Sequence, residues 1–180
     1  MDTEIIPMQK LYLLLLLIFC FGCGTSNEKT AQKNDESFAS CKYGSPKPIF
    51  SATTPLVSSH DFKLGKQTAV ETVFFDADIK LELTQSGCEK PKQEFKFTIP
   101  GDSKVYTTED WIDMALQQLD FLGNLHKPLE PLLFWSGALK MQKEEIKLGK
   151  PITLEQGHYV KIDRVAGDKD GILMIELSQF

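Results

Sequence analysis

Two stretches of this chain alternate without error between apolar and polar residues: Ile79-Lys80-Leu81-Glu82-Leu83-Thr84 and Glu94-Phe95-Lys96-Phe97-Thr98-Ile99. Successive side chains on a strand point to opposite faces. Each stretch therefore predicts a strand with one face on a core and one in water, the habit of antiparallel sheets. The connection between them holds Ser86-Gly87 and Pro91, which are turn residues, so 79–99 reads as a hairpin with a long loop. Upstream, 48–53, 61–64 and 71–75 read as shorter strands, and Asp76-Ala77-Asp78 as the tight connection into the hairpin.

The period then changes. Thr107-Thr108-Glu109-Asp110 offers an N-cap with acidic residues in the first turn, where the helix dipole favours them. Ile112, Ala115, Leu116, Leu119 and Leu122 follow at spacings of three and four, so a helix is expected over 108–122, with Gly123-Asn124 as its C-cap. A second helix is expected from near Pro128 to near Lys147, weakened or broken at Ser136-Gly137. Strands return at 152–154, 159–165 and 172–177, the last two flanking a loop at 166–171. The order predicts an α+β fold: a mainly antiparallel sheet with a two-helix segment, about 108–147, packed on one face. A β-sandwich or small barrel with a helical insertion is the alternative.

Composition narrows the class. The 180 residues include 12 Phe and are 42% hydrophobic, enough for one packed core and too apolar for a disordered chain. The net charge is -5, and of 20 basic residues only Arg164 is an arginine. Bidentate recognition of phosphate or guanine uses arginine clusters, so nucleic acid is not an expected partner.

The N-terminus carries an address. Residues 11–21 are continuously apolar, about half of the ~20 needed to span a bilayer, and Lys10 precedes them. Met8 offers a second start beyond the acidic Asp2 and Glu4. The run ends in Cys20-Phe21-Gly22-Cys23-Gly24, and residues 8–25 resemble the signal of a bacterial lipoprotein precursor. The resemblance implies a signal peptide at 1–22 and acylation of Cys23 as the mature N-terminus. It also implies a protein of the bacterial cell envelope, held to a membrane by lipid. A retained single-span anchor is the rival. Cys20 and Cys23 also form a C-x-x-C, but no base or second ligand pair stands beside it to support redox or zinc chemistry. Residues 24–40 are polar and without period, the pattern of a flexible tether with an r.m.s. reach of roughly 20–25 Å. A single globular domain is expected over 41–180, a stretch without resemblance to a known family.

After cleavage two cysteines would remain to pair, Cys41 and Cys88. An even pair outside the cytoplasm reads as a disulfide. A nucleophilic thiol at Cys88 is the alternative.

The candidate site residues are few. His60, His126 and His158 lack metal-ligand spacing, and neither a metal nor a cofactor is expected. Asp76, Asp78, Asp168 and Asp170 sit in turns, and Glu109, Asp110 and Asp113 crowd a helix start. The hydrolase-elbow, phosphate-loop and dinucleotide motifs are not in the sequence. Trp111 and Trp135 are the candidate partner-binding residues, with burial in a wide core as the other possibility. The expectation is a non-catalytic binding domain for an envelope protein, glycan or lipid. The alternative is a small envelope enzyme acting on glycan or peptide through Asp110 or Asp113 with His126.

Overall fold

The computed structural model describes residues 38–76, 79–154 and 157–179. Cys23 and the signal peptide lie outside them. The described elements are β1 Val57–Leu64, β2 Thr68–Phe75, β3 Lys80–Ser86, β4 Lys92–Pro100, α1 Thr108–Leu125, α2 Pro131–Met141, β5 Pro151–Thr153, β6 His158–Val165 and β7 Asp170–Gln179. The strands form one sheet in the order β1-β2-β3-β4-β7-β6-β5, antiparallel throughout. Four strands make a meander, two helices follow, and the chain returns to lay β7 against β4. The fold is α+β with an open sheet, edged by β1 and β5, and not a sandwich or barrel.

Period-2 alternation sets the two faces. Along one rung Leu83, Phe95, Ile175 and Ile162 are partners, and along the next Val73, Leu81, Phe97 and Leu173. All eight are buried, and they form one core with Trp111, Ile112, Ala115, Leu116, Leu119 and Leu122 of α1. The opposite face carries the charges of the alternation, including Glu82–Lys96 at 3.1 Å and Lys92–Glu176 at 3.0 Å. These half-exposed pairs contribute little energy individually.

Helix α1 begins with a capping box. Thr107 Oγ1 accepts from Asp110 N, and the Asp110 carboxylate accepts from Thr107 N at 2.7 Å. The helix does not stop at Gly123 as expected but runs on to Leu125. Gly123 is instead a crossing point: a Cβ there would lie 2.7 Å from Leu133 Cγ of α2, so only glycine lets the helices approach this closely. Helix α2 passes unbroken through Ser136-Gly137, because Ser136 is buried and its hydroxyl donates to Leu116 O on α1. Packing overrides propensity here. The expected second helix is shorter than its apolar period, with 3-10 turns at Lys127–Leu129 and Lys143–Glu145 on either side of α2.

The expected strand at 48–53 does not form. Pro48 has no N–H to donate, and the N–H groups of Ile49 and Phe50 go to the carboxylate of Glu71 rather than to a ladder. Phe38, placed by its sequence context in the tether, is buried at 4% exposure, so ordered packing begins before Cys41. Cys41 and Cys88 form a disulfide with Cα atoms 4.4 Å apart, reinforced by Lys42 N donating to Cys88 O. Segment 38–56 is thereby strapped to the β3–β4 loop.

Candidate functional site

A half-open groove of about 330 Å³ lies where the α1–α2 turn meets the end of the sheet. Its helical wall is Pro128, Leu129, Pro131, Leu132 and Trp135; its sheet wall is Gln93, Leu177, Ser178 and His158; Ile49 and Pro91 close the third side. The prolines do local work. Pro131 occupies the first turn of α2, where a missing N–H costs no intrahelical bond, and its fixed φ helps set the angle at which α2 leaves the turn. Trp135 is half-buried one turn further on, with its ring centroid 5.0 Å from that of His158 in an edge contact. An apolar concavity with a few polar groups, here Gln93, Ser178 and His158, is the usual form of a binding pocket.

Ile49 is held in place by a buried carboxyl group. Glu71 stands on the core face of β2, in phase with Ala69, Val73 and Phe75, and is 0% exposed. Its two carboxylate oxygens accept from Ile49 N at 3.0 Å and Phe50 N at 2.7 Å, and His60 Nε2 lies 2.7 Å from Oε1. Phe50 then packs its ring on Phe75, which in turn meets Phe121 of α1. A buried carboxylate is tolerated when each oxygen has partners. This cluster fixes the strap and, through Ile49, one wall of the groove. Glu71 was legible in principle as a charge at an otherwise apolar phase of β2; its partners come from sequence positions too distant to infer.

The structure separates the two tryptophans. Trp111 is 0% exposed, packed edge-on against Tyr106, and cannot meet a partner. Its ring packs at the head of α1 against Tyr106 and the start of β7 at Gly171, which extends the buried face of the helix by one residue beyond the expected stripe. Trp135 remains at the groove. Phe134 and Met141, at 67% and 83% exposure, form a separate apolar face on the outside of α2.

The carboxylates of the α1 start are structural. Asp110 caps the helix, and hydrogen bonds from Thr107 hold its carboxyl below the usual range. Lys143 reaches back from the turn after α2 to Asp113 at 2.7 Å and Glu109 at 3.2 Å, and these bonds raise its pKa. His126 is the C-cap of α1. It lies thirteen positions after Asp113 along α1, roughly 20 Å at the α-helical rise, so the acid–histidine set expected of an enzyme is not brought together. Asp168 pairs with Lys104 in the β6–β7 loop. His60 pairs with Glu71, and Cys88 is bonded and is no free nucleophile.

Among the described residues no group of three His, Cys, Asp or Glu is placed to hold a metal, and no helix is long and apolar enough to cross a membrane. Comparison with protein-family models, with curated proteins and with solved structures finds no match.

Proposed function

We propose that this chain is a lipid-anchored, non-catalytic binding protein of the bacterial cell envelope, and that the groove at Trp135 holds an apolar or aromatic group of its partner. The single observation that carries the reading is the groove itself: apolar walls, a half-buried tryptophan and a rim of Gln93, Ser178 and His158. Covering such surface with one aromatic side chain contributes roughly 1.5–3 kcal/mol. A tryptophan set in a pocket is the residue type most often found to dominate binding energy. The anchor rests on the pattern around Cys23 and on the disulfide, which fits an oxidising compartment.

The test compares Trp135→Ala with Trp111→Ala in the mature chain, using recovery of partners from envelope extract. Trp135→Ala is expected to lose the partner while the protein stays folded, with a smaller loss of melting temperature than Trp111→Ala because the ring is only half-buried. Trp111→Ala is expected to cost roughly 3–5 kcal/mol and unfold the protein. Turnover of a cell-wall substrate, abolished by Asp113→Asn with folding intact, would overturn the binding reading in favour of an enzyme.

A further inference from the structure

The strand register gathers one set of loops at one end of the sheet. The rung Thr68–Ser86–Lys92–Ser178–Tyr159 lies at that end, beside the β1–β2 turn with Lys66 and the β3–β4 loop with Lys90. The disulfide brings Lys42 there, and Gln85 Nε2 donating to Lys47 O brings Lys47. The groove joins the α1–α2 turn, with Lys127, to Pro91 and Ser178 at the same end.

Lys42, Lys47, Lys66, Lys90 and Lys127 are all exposed. Among the described residues none of the five has a carboxylate partner, whereas Lys92, Lys96, Lys104, Lys140, Lys143 and Lys161 are all paired. Glu89 and Glu130 are the exposed acids on these same loops. The other end of the sheet is acidic: Asp76 follows β2, Asp102 and Asp110 lie between β4 and α1, and Asp168 and Asp170 lie at the β6–β7 turn. At that end Lys80 and Lys169 also lack a carboxylate partner among the described residues, but the acids outnumber the lysines there, whereas on the described loops of the first end five exposed lysines stand against two exposed acids.

We infer that this lysine-bearing end is a docking face for an anionic lipid surface. One further feature belongs to that end. Tyr43, 56% exposed, stands there with Lys42 Nζ 5.2 Å from its ring centroid, an amphipathic aromatic of the kind that settles at headgroup level. Basic clusters attract anionic headgroups within a Debye length, so the contact is steered by charge and weakened by salt. It sets the orientation of the domain: basic end and groove toward the bilayer, acidic end away. The inference deepens the membrane-anchored reading, and its test is arranged to be independent of acylation.

Purified full-length chain carrying Cys23→Ser is sedimented with vesicles of phosphatidylcholine alone and of equal parts phosphatidylcholine and phosphatidylglycerol. A preference for the anionic vesicles of at least about tenfold is expected, lost in high salt. Replacing Lys42, Lys47, Lys90 and Lys127 with Glu should abolish the preference. Replacing Lys80, Lys104 and Lys169 with Glu, at the far end and in the far loops, should leave most of it, with melting curves confirming folding in both. Equal binding to the two vesicles, or an equal loss in both variants, overturns the inference. Lipid found on Cys23 of the native protein beside such a result would leave the anchor standing and remove the docking face alone.

Discussion

The carboxylate of Glu71, with none of its side chain exposed, stands 2.7 Å from His60 Nε2. The same carboxylate takes the N–H groups of Ile49 and Phe50, so one side chain ties β1, β2 and the strap together. Removing one partner from such a buried cluster leaves the others unpaired in the core. Glu71→Ala should therefore cost roughly 3–5 kcal/mol in urea unfolding. Glu71→Gln, whose amide oxygen still accepts from the strap, should cost less. A loss below about 1 kcal/mol for the alanine variant would contradict this role.

Two glycines should respond in opposite directions to alanine. A Cβ at Gly171 would lie 2.6 Å from Ser103 Cβ and 2.8 Å from Trp111 Cη2. Gly171→Ala must push the β7 start away from the head of α1, at a cost of about 1–3 kcal/mol. At Gly137, inside α2, a Cβ meets nothing within 4 Å. Gly137→Ala should stabilise by up to about 1 kcal/mol through helix propensity alone. Thermal melts of the pair check both signs.

The disulfide closes the strap onto the β3–β4 loop across 47 positions. Its loss frees the unfolded chain, worth roughly 4 kcal/mol in the chain-entropy model. Cys88→Ser should lower stability by up to that amount. Alkylation of the native protein without reductant should label neither Cys41 nor Cys88.

Asp110 makes the start of α1 sensitive to acid. Its carboxyl is held below 3.8 by the Thr107 hydroxyl and then by the Thr107 N–H. A depressed folded value means that the stabilisation is present above the unfolded value and lost as pH falls through the folded one. Asp110→Asn should be less stable than the parent near neutrality, and the two should converge in strong acid. A stability difference that stays constant with pH would show that the charge contributes nothing to the cap.

Sequence and structure agree where local pattern decides. The alternation at 79–84 and 94–99 became β3 and β4, and the apolar period of 108–122 became the core of α1. Cys41 and Cys88 paired as their even number suggested. The misreadings have a common cause in distant contacts. Gly123 looks like a cap until Leu133 is brought against it, and Ser136 looks like a breaker until Leu116 O is within reach. Trp111 falls outside the expected helical stripe and is buried because Tyr106 and the start of β7 at Gly171 are brought against it. The groove could not be read at all, since Ile49, Pro91, Trp135 and His158 come together only through the strap, the sheet register and the helix crossing. Of its residues, Trp135 was visible as a candidate for partner binding, by its residue type, and His158 only as a histidine without metal-ligand spacing.

The binding reading is tested most directly at position 135 in the native host. A photo-cross-linking phenylalanine derivative replaces Trp135 in the full-length chain, and a second chain carries it at Gln117, an exposed position on α1 outside the groove. Illumination of intact cells is followed by purification and mass spectrometry of the adducts. The account predicts one discrete adduct from position 135 and none of that mass from position 117. No adduct from 135, or the same adducts from both positions, would contradict a partner held in the groove.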